Sequence, residues 1–110
     1  MGEPTDAALL QVLELRAKVL GAIRRFFEER GFVEVETPAL VPSPGLDVHL
    51  SAFEVRGPAG ETVGWLATSP EYQMKRLLSA GAKRIFQLCR SYRSEEQGRH
   101  HEREFAMLEW

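Results

Sequence analysis

"RSYRSEEQGRHHEREFAMLEW", Arg90 to Trp110, sets a charged turn between two apolar segments. In the second, the two-residue period of a strand puts Phe105, Met107 and Glu109 on one face and Ala106, Leu108 and Trp110 on the other. One face therefore carries an aromatic ring and, further along, a carboxylate. On a buried face such a carboxylate needs a cationic partner, because leaving it unpaired costs several kcal/mol. The partner is a protein Arg or Lys, which spacing alone favours, or an ammonium group on a ligand. The preceding "RIFQLCRSYR" pairs with this segment as an antiparallel hairpin around a turn containing Gly98. Arg90, Arg93, Arg99 and Arg103, with His100 and His101, form either a solvated turn or a clamp for nucleotide phosphates, to which the forked guanidinium is suited.

Upstream, "TSPEYQMKRLLSAG" has the signals of a strand-to-helix junction: Thr68 or Ser69 as cap, Pro70 in the first turn, Glu71 among the first free amides and Gly81 as terminator. Glu71 either complements the helix dipole or receives a ligand there. Two strands, about His49 to Arg56 and Thr62 to Ala67, flank the turn "GPAG" as a hairpin. "VPSPGLD" reads as a loop, and "FVEVETPAL" alternates Val33 and Val35 against Glu34 and Glu36 as a half-exposed strand ended by Pro38. From about Ala7 to Arg30, Leu9, Leu13, Ala17, Leu20, Ile23 and Phe27 recur at helical spacing, with Val12, Val19 and Phe26 widening the stripe. Thr5 or Asp6 caps this helix and Gly31 ends it. Its apolar face is wider than one small sheet needs, and core packing is the simpler reading against a subunit interface. This order of strands and helices, without βαβ alternation, is that of an α+β fold with antiparallel pairing.

At 110 residues, with 44% hydrophobic and 27% charged residues, the chain is one globular domain or a piece of a larger one. A net charge of −2 excludes wholesale electrostatic capture of nucleic acid, so any polyanion site is local. The single cysteine, Cys89, cannot form an internal disulfide and reads as a buried reduced thiol, which favours the cytoplasm. No stretch approaches the roughly 18 to 20 apolar residues of a spanning helix. Glycine-rich phosphate cradles are absent. A zinc site from Cys89, His49, His100 and His101 is not expected, since adjacent strand residues face opposite ways and no paired-ligand spacing occurs.

Taken together, "RRFFEERGFVEVETPAL", "TSPEYQMKRLL" and "FQLCRSYRSEEQGRHHEREFAMLEW" resemble the opening part of a class II aminoacyl-tRNA synthetase catalytic domain of the lysyl type. The first is similar to motif 1 and the last to motif 2. The resemblance implies the N-terminal part of a class II synthetase-like antiparallel sheet with flanking helices. Residues 1–110 would be a partial catalytic domain with motifs 1 and 2 and without motif 3. "FQLCRSYRSEE", "MLEW" and "DVHLSAFEV", with Asp47 and His49, are most similar to the stand-alone members that ligate β-lysine to elongation factor P. The motif 1 helix starts near Met1, leaving no room for the OB domain of a lysyl-tRNA synthetase.

The implied activity is ATP-dependent activation of lysine or β-lysine as the aminoacyl-adenylate, followed by ligation to a lysine of elongation factor P. The alternatives are a lysyl-tRNA synthetase fragment acting on tRNA and a non-catalytic dimerisation or binding module. By resemblance Arg93 is the catalytic arginine on the ATP α-phosphate, Glu95 is the acid near the adenine amino group with Ser94 between the two in the ATP-binding segment, Phe105 stacks on the adenine and His101 lies near the distal phosphates. Ser69, Pro70 and Glu71 match the substrate-binding segment, with Glu71 on the backbone-side amine, and Glu109 pairs with the side-chain ammonium. Glu102 and Arg103 stand where the family has Asn-Pro, and a carboxylate cannot donate as an amide does, so no ATP contact is expected at Glu102. Motif 3 and the Mg²⁺ ligands are expected beyond Trp110, so weak ATP binding and poor turnover are expected of these residues alone. The motif 1 helix implies a homodimer.

Overall fold

Helix α1 (Asp6–Glu28) starts where the sequence places a cap: extended Thr5 accepts a hydrogen bond from the Ala8 amide at 3.1 Å. Its other end is closed by Gly31 at φ 80°, a left-handed conformation that glycine adopts without a side-chain clash. Two amides turn back on the last carbonyls, Gly31 to Glu28 at 3.0 Å and Phe32 to Phe27 at 3.0 Å, the pattern of a Schellman motif. The rings of Phe27 and Phe32 meet edge to face at 5.1 Å and add the apolar contact that accompanies it. The computed structural model describes residues 5–43, 51–94 and 102–110, and the chain divides into two units, residues 1–34 and 35–110. In the first unit, β1 (Val33–Glu34) follows α1, and Arg24 donates to both oxygens of Glu34 at 3.0 and 3.3 Å.

Only Phe27 of α1 is buried. Leu9, Val12, Leu13, Val19 and Phe26 lie about half exposed, so the stripe is present but core packing does not cover it.

The second unit holds two ladders. In the first, β2 (Leu40–Val41), β3 (Glu54–Arg56) and β4 (Thr62–Leu66) pair antiparallel in the order β2-β4-β3. The turn "GPAG" closes β3 on β4 as expected, with Gly60 at φ 84°. Strand β2 departs from the expectation, which put Leu40 at the end of "FVEVETPAL" and Val41 in the loop "VPSPGLD"; two residues are too few to show a period. The ladder exists there because Gly64 has no side chain. A Cβ at Gly64 would stand 2.8 Å from the Val41 carbonyl oxygen and 3.1 Å from a Leu40 methyl. The hairpin partner begins later than expected: among the described residues only Glu54–Arg56 is strand, and residues 49–50 lie outside them.

Helix α2 (Glu71–Ser79) runs from the end of β4, and Gly81 at φ 116° stops it. The second ladder pairs β5 (Ile85–Tyr92) with β6 (Glu104–Glu109) antiparallel, as the sequence predicts. Along its far edge the Val35 amide donates to the Phe86 carbonyl at 2.9 Å. Beyond Val35 a side chain continues the attachment. The buried Gln87 carboxamide accepts from the Thr37 amide at 2.9 Å and donates to the Thr37 hydroxyl at 2.9 Å. The two ladders meet where the Tyr92 amide donates to the Ala67 carbonyl at 3.0 Å. Substituting Gly64→Ala should destabilise the protein by about 1–3 kcal/mol, read as a lowered denaturation midpoint at fixed protein concentration with an unchanged slope.

Candidate active site

The register of the β5–β6 ladder pairs Ser91 with Phe105, Cys89 with Met107 and Gln87 with Glu109. Directly paired residues share a face, so these six side chains form one continuous strip. Arg93 extends it, since its amide donates to the Arg103 carbonyl at 2.9 Å one step past the ladder. Phe105 and Glu109 are four residues apart, about 14 Å along a strand. The strip thus has an aromatic and cationic end, a middle of sulfur and hydroxyl groups, and an anionic end.

At the first end the Arg93 guanidinium carbon lies 5.0 Å from the Phe105 ring centroid, within cation–π range. The Arg93 Nε is buried and has no hydrogen-bond partner among the described residues. A buried, charged donor without an acceptor is costly unless an anion meets it. The ring holds the guanidinium plane, and the free Nε–H suits a phosphate oxygen.

In the middle, the fully buried Ser91 hydroxyl lies 3.8 Å from the Met107 sulfur and 4.0 Å from the Cys89 sulfur. Cys89 is half-buried rather than buried. Burial pushes its thiol above the ordinary pKa, the Glu109 charge adds to this and the Ser91 contact opposes it. The thiol is therefore a weak nucleophile at neutral pH. At the far end Glu109 is half-buried, and its carboxylate makes no hydrogen bond or ion pair among the described residues. The sequence left a protein cation or a ligand ammonium open, and no described protein cation reaches it.

The Tyr92–Ala67 hydrogen bond attaches the segment that carries Ser69, Pro70 and Glu71 to β5, because Ala67 directly precedes the junction. Pro70, buried, takes the cap position of α2 without a side-chain bond, while the Ser69 hydroxyl accepts from the Glu71 amide at 3.3 Å. Glu71 is exposed and paired with Lys75 at 2.9 Å. Such a pair is worth only about 0.3–0.5 kcal/mol, so it yields readily to a ligand amine. Ser94 is fixed by donation of its amide to the Ser51 carbonyl at 3.0 Å.

Glu95 and His101 lie outside the described residues, as do Asp47, His49, Arg99 and His100. The structure divides the arginine cluster: Arg90 pairs with Ala106 on the opposite face from Arg93, and Arg103 is exposed. The sequence pattern placed Met107 on the face of Phe105 and Glu109 but did not single out Gln87 or Ser91. Counting back by twos from Arg93 reaches both. Among the described residues no three His, Cys, Asp or Glu groups gather to hold a metal ion. None of the described helices is long and apolar enough to cross a membrane.

An elongation factor P (R)-beta-lysine ligase from Erwinia tasmaniensis is 57% identical over 96% of this chain. Proteins of the same name from Pectobacterium carotovorum and Klebsiella pneumoniae are 56% and 57% identical over 86% of it. The chain spans about a third of the length of these curated relatives, between 30% and 33%. Residues 5–110 match the family described as tRNA synthetases class II (D, K and N), and the chain belongs to that family.

Proposed function

We propose that residues 1–110 are the motif 1 and motif 2 part of the catalytic domain of an ATP-dependent, AMP-forming amino acid ligase. It would activate lysine or β-lysine as the adenylate and pass it to a lysine of elongation factor P. The observation that carries this reading is the strip on β5–β6: an unpartnered buried guanidinium nitrogen beside an aromatic ring at one end, an unpaired carboxylate at the other. The names of the relatives supply the acceptor and the β-lysine.

In this reading Phe105 stacks on the adenine, Glu95 lies near its amino group, and Ser94 links Arg93 to Glu95 in the ATP-binding segment. Arg93 holds the α-phosphate, with His101 toward the distal phosphates. Glu109 pairs with the side-chain ammonium, and Glu71 leaves Lys75 to receive the other amine. Ser69 and Pro70 fix the start of α2 so that Glu71 is in place. The amino acid carboxylate attacks the α-phosphorus and pyrophosphate leaves. Arg93 stabilises the negative charge that develops at phosphorus, and the two anchored ends of the substrate supply orientation. The acceptor amine then attacks the carbonyl carbon and AMP leaves. Mg²⁺ belongs to this chemistry in the family, but the described residues form no site for it, so no step here passes through it.

Phosphoryl-oxygen stabilisation of this kind is worth about 10²–10³-fold in rate. In the full-length protein, Arg93→Ala should lower amino-acid-dependent ATP–pyrophosphate exchange by that factor, whereas Glu109→Gln should raise KM for the amino acid about tenfold or more and leave KM for ATP within about twofold. Loss of exchange in neither variant overturns the assignment. Offered both acceptors with labelled β-lysine, the protein should label elongation factor P and leave tRNA unlabelled; label on tRNA alone would establish the lysyl-tRNA synthetase reading. The exposed apolar face of α1 supports a homodimer through that helix, in the cytoplasm where a free thiol persists. Sedimentation should give a dimer that Val19→Glu converts to monomer, and a monomeric wild-type protein would remove this part of the proposal.

A further inference from the structure

Gln87 sits directly across the ladder from Glu109, and the two side chains leave the same face with Cβ atoms about 4.5–5.5 Å apart. At that separation a carboxamide N–H reaches a carboxylate. It does not do so here. The Gln87 amide is turned the other way and committed to Thr37: Oε1 accepts from the Thr37 amide at 2.9 Å and stands 3.3 Å from its hydroxyl, and Nε2 donates to that hydroxyl at 2.9 Å. Gln87 is buried, at 1% exposure, so the amide has no water to turn toward. Glu109 is consequently left without a protein donor among the described residues.

We infer that Thr37 is a positioning residue for amino acid binding: by holding the Gln87 amide away from Glu109, it keeps that carboxylate free for the ammonium group of the substrate. The inference rests on the assignment of Glu109 as the ammonium site. The physical argument is a competition. Without the Thr37 hydroxyl, the backbone amide at position 37 still engages Gln87 Oε1, but Nε2 loses its acceptor. A buried donor without an acceptor is costly, and the nearest carboxylate on the same face is Glu109. The Gln87–Glu109 bond that forms must be broken each time the substrate ammonium binds. Nothing in this competition touches the Arg93 and Phe105 end, so ATP binding is unaffected.

The test measures the Michaelis constants for (R)-β-lysine and ATP in the full-length protein. Thr37→Val should raise KM for the amino acid about five- to tenfold, the strength of one competing hydrogen bond, with KM for ATP and kcat within about twofold. Thr37→Ser, which keeps the hydroxyl, should match wild type. The double variant Thr37→Val with Gln87→Met removes the competing donor and should restore the amino acid KM. Should Thr37→Val not fold, Thr37→Ala carries the same expectation without added bulk. The inference is overturned if both Michaelis constants move together, if neither moves, or if Thr37→Ser is as impaired as Thr37→Val. An unchanged amino acid KM in Glu109→Gln would instead remove the ammonium-site assignment, and the inference with it.

Discussion

The antiparallel register between β5 and β6 is the constraint on which the site depends. Opposing Ser91 to Phe105 and Gln87 to Glu109 places Arg93, Phe105 and Glu109 on one side. A slip of one residue would send Phe105 and Glu109 to the far face while leaving Arg93 behind, because side-chain direction has a period of two. Several features hold the register. The Arg93–Arg103 hydrogen bond extends the ladder at one end, and the Tyr92–Ala67 bond attaches the strand to the β4–α2 junction. Val35 and the Gln87–Thr37 pair secure the other edge. The chemistry is set by this alignment of backbones, and the side chains inherit it.

Burial divides the strip in a way that suits the two tasks proposed for it. Arg93 needs rigidity, and the Phe105 ring with a water-free Nε provides it. Glu109 needs freedom from protein donors, and the amide nearest in register is tied elsewhere. Between them Cys89, Ser91 and Met107 offer soft, weakly hydrogen-bonding contacts that place no charge against a passing aliphatic chain.

Local signals in the sequence translated directly into structure. Thr5, Gly31, Gly60 and Gly81 terminate or turn the chain where their chemistry demands, and the alternation in "EFAMLEW" gave the correct face for Phe105 and Glu109. Phe105 beside Arg93 and the unpaired Glu109 fit the resemblance to motif 2, whose detailed roles rest on the family. Less was legible where the cause is distant. Strand β2 depends on the missing side chain at Gly64, and Gln87 is committed to a residue fifty positions away. No window of sequence contains both members of either pair. The α1 stripe was legible as a stripe, but periodicity shows only that a face is apolar, not what covers it. Arg90 was grouped with Arg93 by proximity in sequence, although three positions along a strand reverse the face.

The separation between Thr37 and Gln87 also bears on how the chain folds. The α1 cap and the β3–β4 hairpin close over a few residues, and such contacts form on the microsecond scale. Joining Thr37 to Gln87 instead closes a loop of fifty residues, and the entropy of that closure must be met before the contact contributes anything. By sequence separation, closure of the Thr37–Gln87 edge ranks after the local contacts of helix and hairpins. A chain emerging from the ribosome carries Thr37 well before Gln87 exists to receive it, and throughout that interval the segment around Thr37 has no partner strand.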